Sequence, residues 1–172
     1  MRALALDAAH RRYLLIEQGV GAALFNLLLN AGIAWLMVRS VDAVPTWGRE
    51  LSIVGDTIGT AFLLPFFTCL IVTRLARGQV EKGRLPRLDS ANGSHAALRR
   101  LPAGTLPRAL VLGLACVIAF APVVVWALAA LEVREMGAWR FVVFKGLFAA
   151  ALAALVTPLV ALRAICDAAA SG

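Results

Sequence analysis

Four long apolar runs, at residues 14–38, 57–73, 109–131 and 141–162, are separated by segments that hold nearly all of the charge. No other property narrows the fold so far. A helix needs about 20 mainly apolar residues to cross a hydrocarbon core about 30 Å thick, and each run falls near the usual range of about 17–25. Hydrophobic residues make up 61% of the 172, against about 45–50% in a soluble domain. The expected fold is all-α: an integral membrane bundle of four transmembrane helices arranged as two helical hairpins. Residues 1–172 then form a single membrane domain, with a basic loop at 74–108 between the hairpins. Arg2, Arg11 and Arg12 precede a first run much longer than the signal-peptide range of about 7–15 residues. That run is therefore read as a retained span.

Charge sets the expected orientation. Segment 74–108 carries eight basic residues against Glu81 and Asp89, and Arg2, Arg11, Arg12 and Arg163 lie on the same side. On the other side, Arg39, Arg49, Arg134 and Arg140 are balanced by Asp42, Glu50, Glu132 and Glu135. An excess of Lys and Arg marks cytoplasmic loops, so both termini and the basic loop are expected in the cytoplasm. The net charge of +7 is thereby read as a topology signal, with no nucleic-acid partner. The lipid bilayer is the first partner, and the basic loop suits anionic headgroups. An alanine- and arginine-rich composition suits a bacterial inner membrane. Trp47 and Trp139, in the turns of the two hairpins, suit the membrane interface.

Cys69, Cys116 and Cys166 stand apart from one another, without CxxC spacing and without a neighbouring histidine. No metal site and no cofactor is expected from them. Phosphate loops, nucleophile elbows and HExxH pairs are absent from the sequence. Ser40, Ser52, Ser90, Ser94 and Ser171 all fall in expected loops or tails, so nothing marks an enzyme.

What remains is polar chemistry inside the spans. Asp56 and Lys145 lie at the outer ends of the second and fourth runs, at similar expected depth. A charge there is costly unless it pairs, faces water or sits at the boundary, so the two are candidates to meet. Asp56 is also the expected N-cap of span two, and Lys145 has the option of reaching for headgroups. Asn26 and Asn30 are one turn apart and share a face of span one. Thr57, Thr60 and Thr68 continue the Asp56 stripe along span two. These seven residues are the candidate substrate or ion path, or else glue between helices.

Glu17, Arg74 and Arg163 are expected at the cytoplasmic edge as an ion cluster. Pro65, Pro122 and Pro158 are candidate helix breaks, those at Pro65 and Pro122 at matching depth. Gly146, Ala150 and Ala154 form a small-residue ridge for close packing, within the chain or between protomers. The expected function is an oligomeric permease or channel for an ion or small solute, most naturally a homo-oligomer because four helices rarely enclose a pathway alone. The alternative is a non-transporting accessory, assembly or lipid-binding scaffold, whose basic loop grips a protein partner or anionic lipid.

Overall fold

The structure, a computed structural model, describes residues 8–85 and 101–170. Its elements are α1 (Ala8–Val38), β1 (Ala43–Pro45), α2 (Ile53–Glu81), α3 (Thr105–Ala130), β2 (Glu135–Gly137) and α4 (Ala138–Ala170). The four helices are each long and apolar enough to cross a membrane. Apolar runs of this length take helical form because hydrocarbon offers no partner to backbone N–H and C=O groups. The middle of the basic segment, residues 86–100, lies outside the described residues.

The helices outrun the hydropathy limits. α2 continues to Glu81, eight residues past position 73 (81 − 73), and carries Arg74 and Arg77 beyond the apolar stretch. Hydropathy marks the hydrocarbon slab, whereas helical hydrogen bonding runs on until something stops it. For α2 the stop is Gly83, at φ +68°. Its N–H donates to the Val80 carbonyl (3.0 Å), and the Arg84 N–H donates to the Gln79 carbonyl (2.9 Å). That pair of bonds closes a Schellman cap, with glycine at its left-handed position. α3 ends with the same two bonds, Glu132 to Ala129 (3.0 Å) and Val133 to Leu128 (2.9 Å). There a glutamate occupies the left-handed position, at φ 50°.

Nor do the prolines break the helices. Pro65, Pro122 and Pro158 all sit inside uninterrupted helix, which corrects the expected breaks. A proline removes one backbone donor, and in membrane helices the freed groups are commonly satisfied locally. Among the described residues, the helix that departs from α geometry is α1, which is π-helical from Tyr13 to Gly21.

Chain order suggests that α1 packs on α2 and α3 on α4. The packing is different. α4 lies against both α1 and α2, while α3 lies against α2, so the spatial order is α1–α4–α2–α3. Within each expected hairpin the two helices make at most marginal contact with each other. Two glycines explain the exchange. A Cβ on Gly146 of α4 would lie 3.2 Å from both the Leu27 carbonyl and the Ala31 Cβ of α1. A Cβ on Gly113 of α3 would lie 2.8 Å from the Phe62 ring of α2. Each glycine lets two backbones approach as no larger residue would. Half of the apolar window of α4 is buried, against 6% of that of α1, so the last helix is the core and the first is peripheral.

At the end opposite the basic segment, β1 and β2 join the two connecting loops in an antiparallel clasp. Ala43 faces Gly137, Val44 faces Met136, and Pro45 faces Glu135. Thr46 extends it, donating its N–H to the Arg134 carbonyl (2.8 Å) and its hydroxyl to the Val133 carbonyl (2.6 Å). One apolar cluster, including Val44, Ile53 and Phe141, lies under this clasp. A second, including Tyr13, Val72 and Ile165, holds the basic end. Outward faces carry residues such as Leu28, Ile118 and Trp126, each at least 70% exposed. A perimeter of that kind suits lipid and would be a liability in water.

Candidate functional site

Asp56 and Lys145 meet. Asp56 lies in the first turn of α2, whose N-cap is Ser52, accepting from the Gly55 N–H at 3.2 Å. The expected capping role of Asp56 is thus corrected. Helix α2 starts four residues before the apolar run does (57 − 53), so a serine outside that run takes the cap. Asp56 still benefits from the positive end of the helix dipole, and its Oδ1 accepts a hydrogen bond from the Lys145 ammonium. The side chains are 9% and 6% exposed. Lys145 also points a donor at the Met37 sulfur, 3.8 Å away. Gly146, next in sequence, brings α1 against α4 beside the pair.

The pair sits at one end of a cleft of about 660 Å³ between α1 and α2. Both helices pack on α4 but barely on each other, so α4 forms the floor. Asn26, Asn30, Asp56, Thr60, Thr68 and Lys145 all line this space. The rest of the lining is chiefly apolar, with Phe25, Leu29 and Ile33 on α1 facing Leu63, Phe67 and Ile71 on α2. Thr57 is the candidate that stays out: it is buried and donates its hydroxyl to the Ile53 carbonyl at 2.7 Å. Thr157, which the sequence reading passed over, contributes to the lining from α4, and its buried hydroxyl has no hydrogen-bond partner.

Both asparagines use their donors locally. Asn26 donates to the Ala22 carbonyl (2.9 Å) and Asn30 to the Asn26 carbonyl (3.0 Å). Neither bond crosses to another helix. Such back-bonding is the cheapest satisfaction open to a polar side chain in an apolar helix. The small-residue ridge is also redrawn. Gly146 makes the close approach, but Ala150 is half-buried and Ala154 exposed, whereas Ala149 and Ala153 are fully buried. Pro65, Pro122 and Pro158 do not line the cleft.

A second ionic centre occupies the basic end. Asp167 of α4 receives Arg108 at 2.7 Å, Arg163 at 3.1 Å and Arg77 at 3.5 Å. Arg108 is completely buried and also donates to the carbonyls of Pro102 and Ala103, both at 3.0 Å. Arg163 is the one member of the expected edge cluster found here. Arg74 is exposed on α2, and Glu17 instead lines a small cleft with Arg12 and Arg84. Asp167 was the missed residue. Its signal was present, since Arg163 and Asp167 are four apart and must share a helix face.

No protein-family model matches the chain, no curated protein matches it, and no solved structure matches it. Its class therefore rests on its own fold and site. This is an all-α protein with four helices able to span a membrane and a side cleft between two of them.

Proposed function

We propose that the protein is a small permease of the bacterial inner membrane whose route is the cleft between α1 and α2. The observation that carries this reading is the convergence on one cleft of eight polar residues drawn from three helices: Gln18, Asn26, Asn30, Asp56, Thr60, Thr68, Lys145 and Thr157. Ionisable side chains inside a membrane span, as at Asp56 and Lys145, point by default to a functional site such as a substrate path. The apolar walls argue against a bare ion, which would give up hydration with little in return, and favour a small solute carrying apolar surface. Because the cleft is open along its side, a second copy in a homo-oligomer would supply the missing wall. Both termini and the basic segment face the cytoplasm in this reading, by the positive-inside rule.

A second reading has its own support. Asn26, Asn30 and Thr57 each donate a hydrogen bond within their own helix, as in a scaffold that conducts nothing. There the arginines around Asp167 and the basic segment would hold anionic lipid or a partner protein.

Reconstitution in liposomes separates the two. Uptake of potassium, chloride, glycerol and a fluorescent single-chain lipid is followed for wild type and for Asp56→Asn. The permease reading expects at least one of these to cross faster than in protein-free liposomes, with the gain lost in Asp56→Asn. Rates equal to those of empty liposomes for every probe would overturn it in favour of the scaffold.

A further inference from the structure

The shape and polarity of the cleft say more about its occupant than the presence of polar residues does. Along α2 the lining runs from Asp56 to Leu75, nineteen residues and hence about 28 Å at the helical rise. Spread over that length, 660 Å³ describes a cleft much longer than it is wide. That shape suits an extended hydrocarbon chain better than a compact solute. Both walls belong to helices of membrane-spanning length and the cleft is open at its side, so an occupant reaches it from the bilayer.

The charged end selects the head. Asp56 and Lys145 neutralise each other, and the bond between them uses one carboxylate oxygen and one ammonium proton. An ammonium has three donors and a carboxylate keeps acceptor sites on its second oxygen. A hydroxyl or ester can accept from the first, and a hydroxyl can also donate to the second, without parting them. An anionic head would draw Lys145 away and strand a nearly buried carboxylate, and a cationic head would strand the lysine. A neutral head does neither.

We infer that the cleft binds a neutral single-chain amphiphile of the long-chain alcohol or ester type, chain along α1 and α2, head at Asp56 and Lys145. The inference deepens the permease reading by naming its substrate class, and depends on that reading only for the claim that the bound molecule crosses the membrane.

The test uses the full-length protein in phospholipid nanodiscs with hexadecanol bearing a mid-chain diazirine, crosslinked by light and mapped by mass spectrometry. Label is expected on cleft residues such as Phe25 and Phe67, displaced by excess hexadecanol but not by palmitate or hexadecylamine. Gly59 lines the cleft, and a Cβ there would meet nothing within 4 Å, so Gly59→Phe fills the space without moving backbone. It should abolish the cleft label. Gly78→Phe, on the same helix, equally unobstructed and outside the cleft, should retain it. If Gly59→Phe does not fold, Ala22→Phe on the opposite wall makes the same comparison.

Label spread over outward residues such as Leu28 and Ile118, and indifferent to Gly59→Phe, would overturn the inference. Displacement by palmitate or hexadecylamine as effective as by hexadecanol would overturn the neutral head. Cleft labelling without flux in liposomes would sink the permease and leave the binding site standing. Flux without cleft labelling would do the reverse.

Discussion

At the clasp end one lysine meets one aspartate, whereas at the basic end three arginines share one. The first centre is neutral, nearly buried and placed beside an apolar cleft. The second leaves two positive charges uncompensated by its carboxylate (three minus one), and its members range from fully buried Arg108 to Arg77, 38% exposed. Buried guanidinium nitrogens of all three arginines have no hydrogen-bond partner. The contrast follows from the number of elements each centre must join. Asp56–Lys145 ties α2 to α4. Asp167 ties α2, the start of α3 and α4 itself, and one carboxylate cannot satisfy three guanidinium forks. Closure with specificity comes from the two-member pair; cross-bracing comes from the hub.

Breaking the closed pair should have the largest effect. Lys145→Met leaves a buried carboxylate without its counter-ion, and such losses cost about 3–5 kcal/mol. Adding Asp56→Asn to Lys145→Met should recover most of that in thermal melts of the purified protein in detergent. If the double variant is as unstable as the single, the two residues are not an energetic unit.

The hub should be softer and uneven. Asp167→Asn is expected to cost about 1.5–3 kcal/mol, the range for hydrogen bonds to charged groups. Arg108→Gln should approach that figure. Arg77→Gln should stay within about 0–1 kcal/mol because its contact is long and partly exposed. Equal losses at Arg77 and Arg108 would contradict the graded burial and make the hub resemble the pair.

Gly146→Ala probes the helix crossing beside the pair. A methyl group would press on Leu27 and Ala31, an overpacking that typically costs about 1–3 kcal/mol. Thermal melts of Gly146→Ala in detergent read that cost directly. No loss of stability in Gly146→Ala would mean that α1 can shift freely on α4.

The smallest effect compares the helix ends. Glu132→Gly relieves a left-handed glutamate and should stabilise by about 0.4–1 kcal/mol. Gly83→Ala should destabilise by at least as much, since alanine meets the same strain there. Denaturation midpoints of both variants check the signs. A destabilised Glu132→Gly would indicate that its side chain does something the backbone geometry does not reveal.

The four helices were legible because each is written as one long apolar run, and nothing in the residues themselves has to be paired to see them. The meeting of Asp56 and Lys145 was legible for a related reason: two charges at one depth in hydrocarbon have few alternatives. Ser52 was hidden as a cap because hydropathy locates the slab and is blind to where helical bonding begins. Asp167 was hidden because it lies past the last long apolar run, which ends at residue 162, where a carboxylate looks ordinary. The exchange of helix partners was the least legible. It depends on Gly113 and Gly146 finding Phe62 and Ala31, and no local pattern in the chain says which surface a glycine will meet.

The order of packing has a consequence for how such a molecule is made. α1 leaves the ribosome well before α4, on which it mainly rests. Until the roughly one hundred residues between the two have been synthesised, α1 is without that neighbour. The β1–β2 clasp is likewise deferred, since its second strand comes immediately before α4. The arrival of α4 is therefore what closes the clasp and brings Lys145 to Asp56. Before it, α2–α3 is the extensive helix pair already in place.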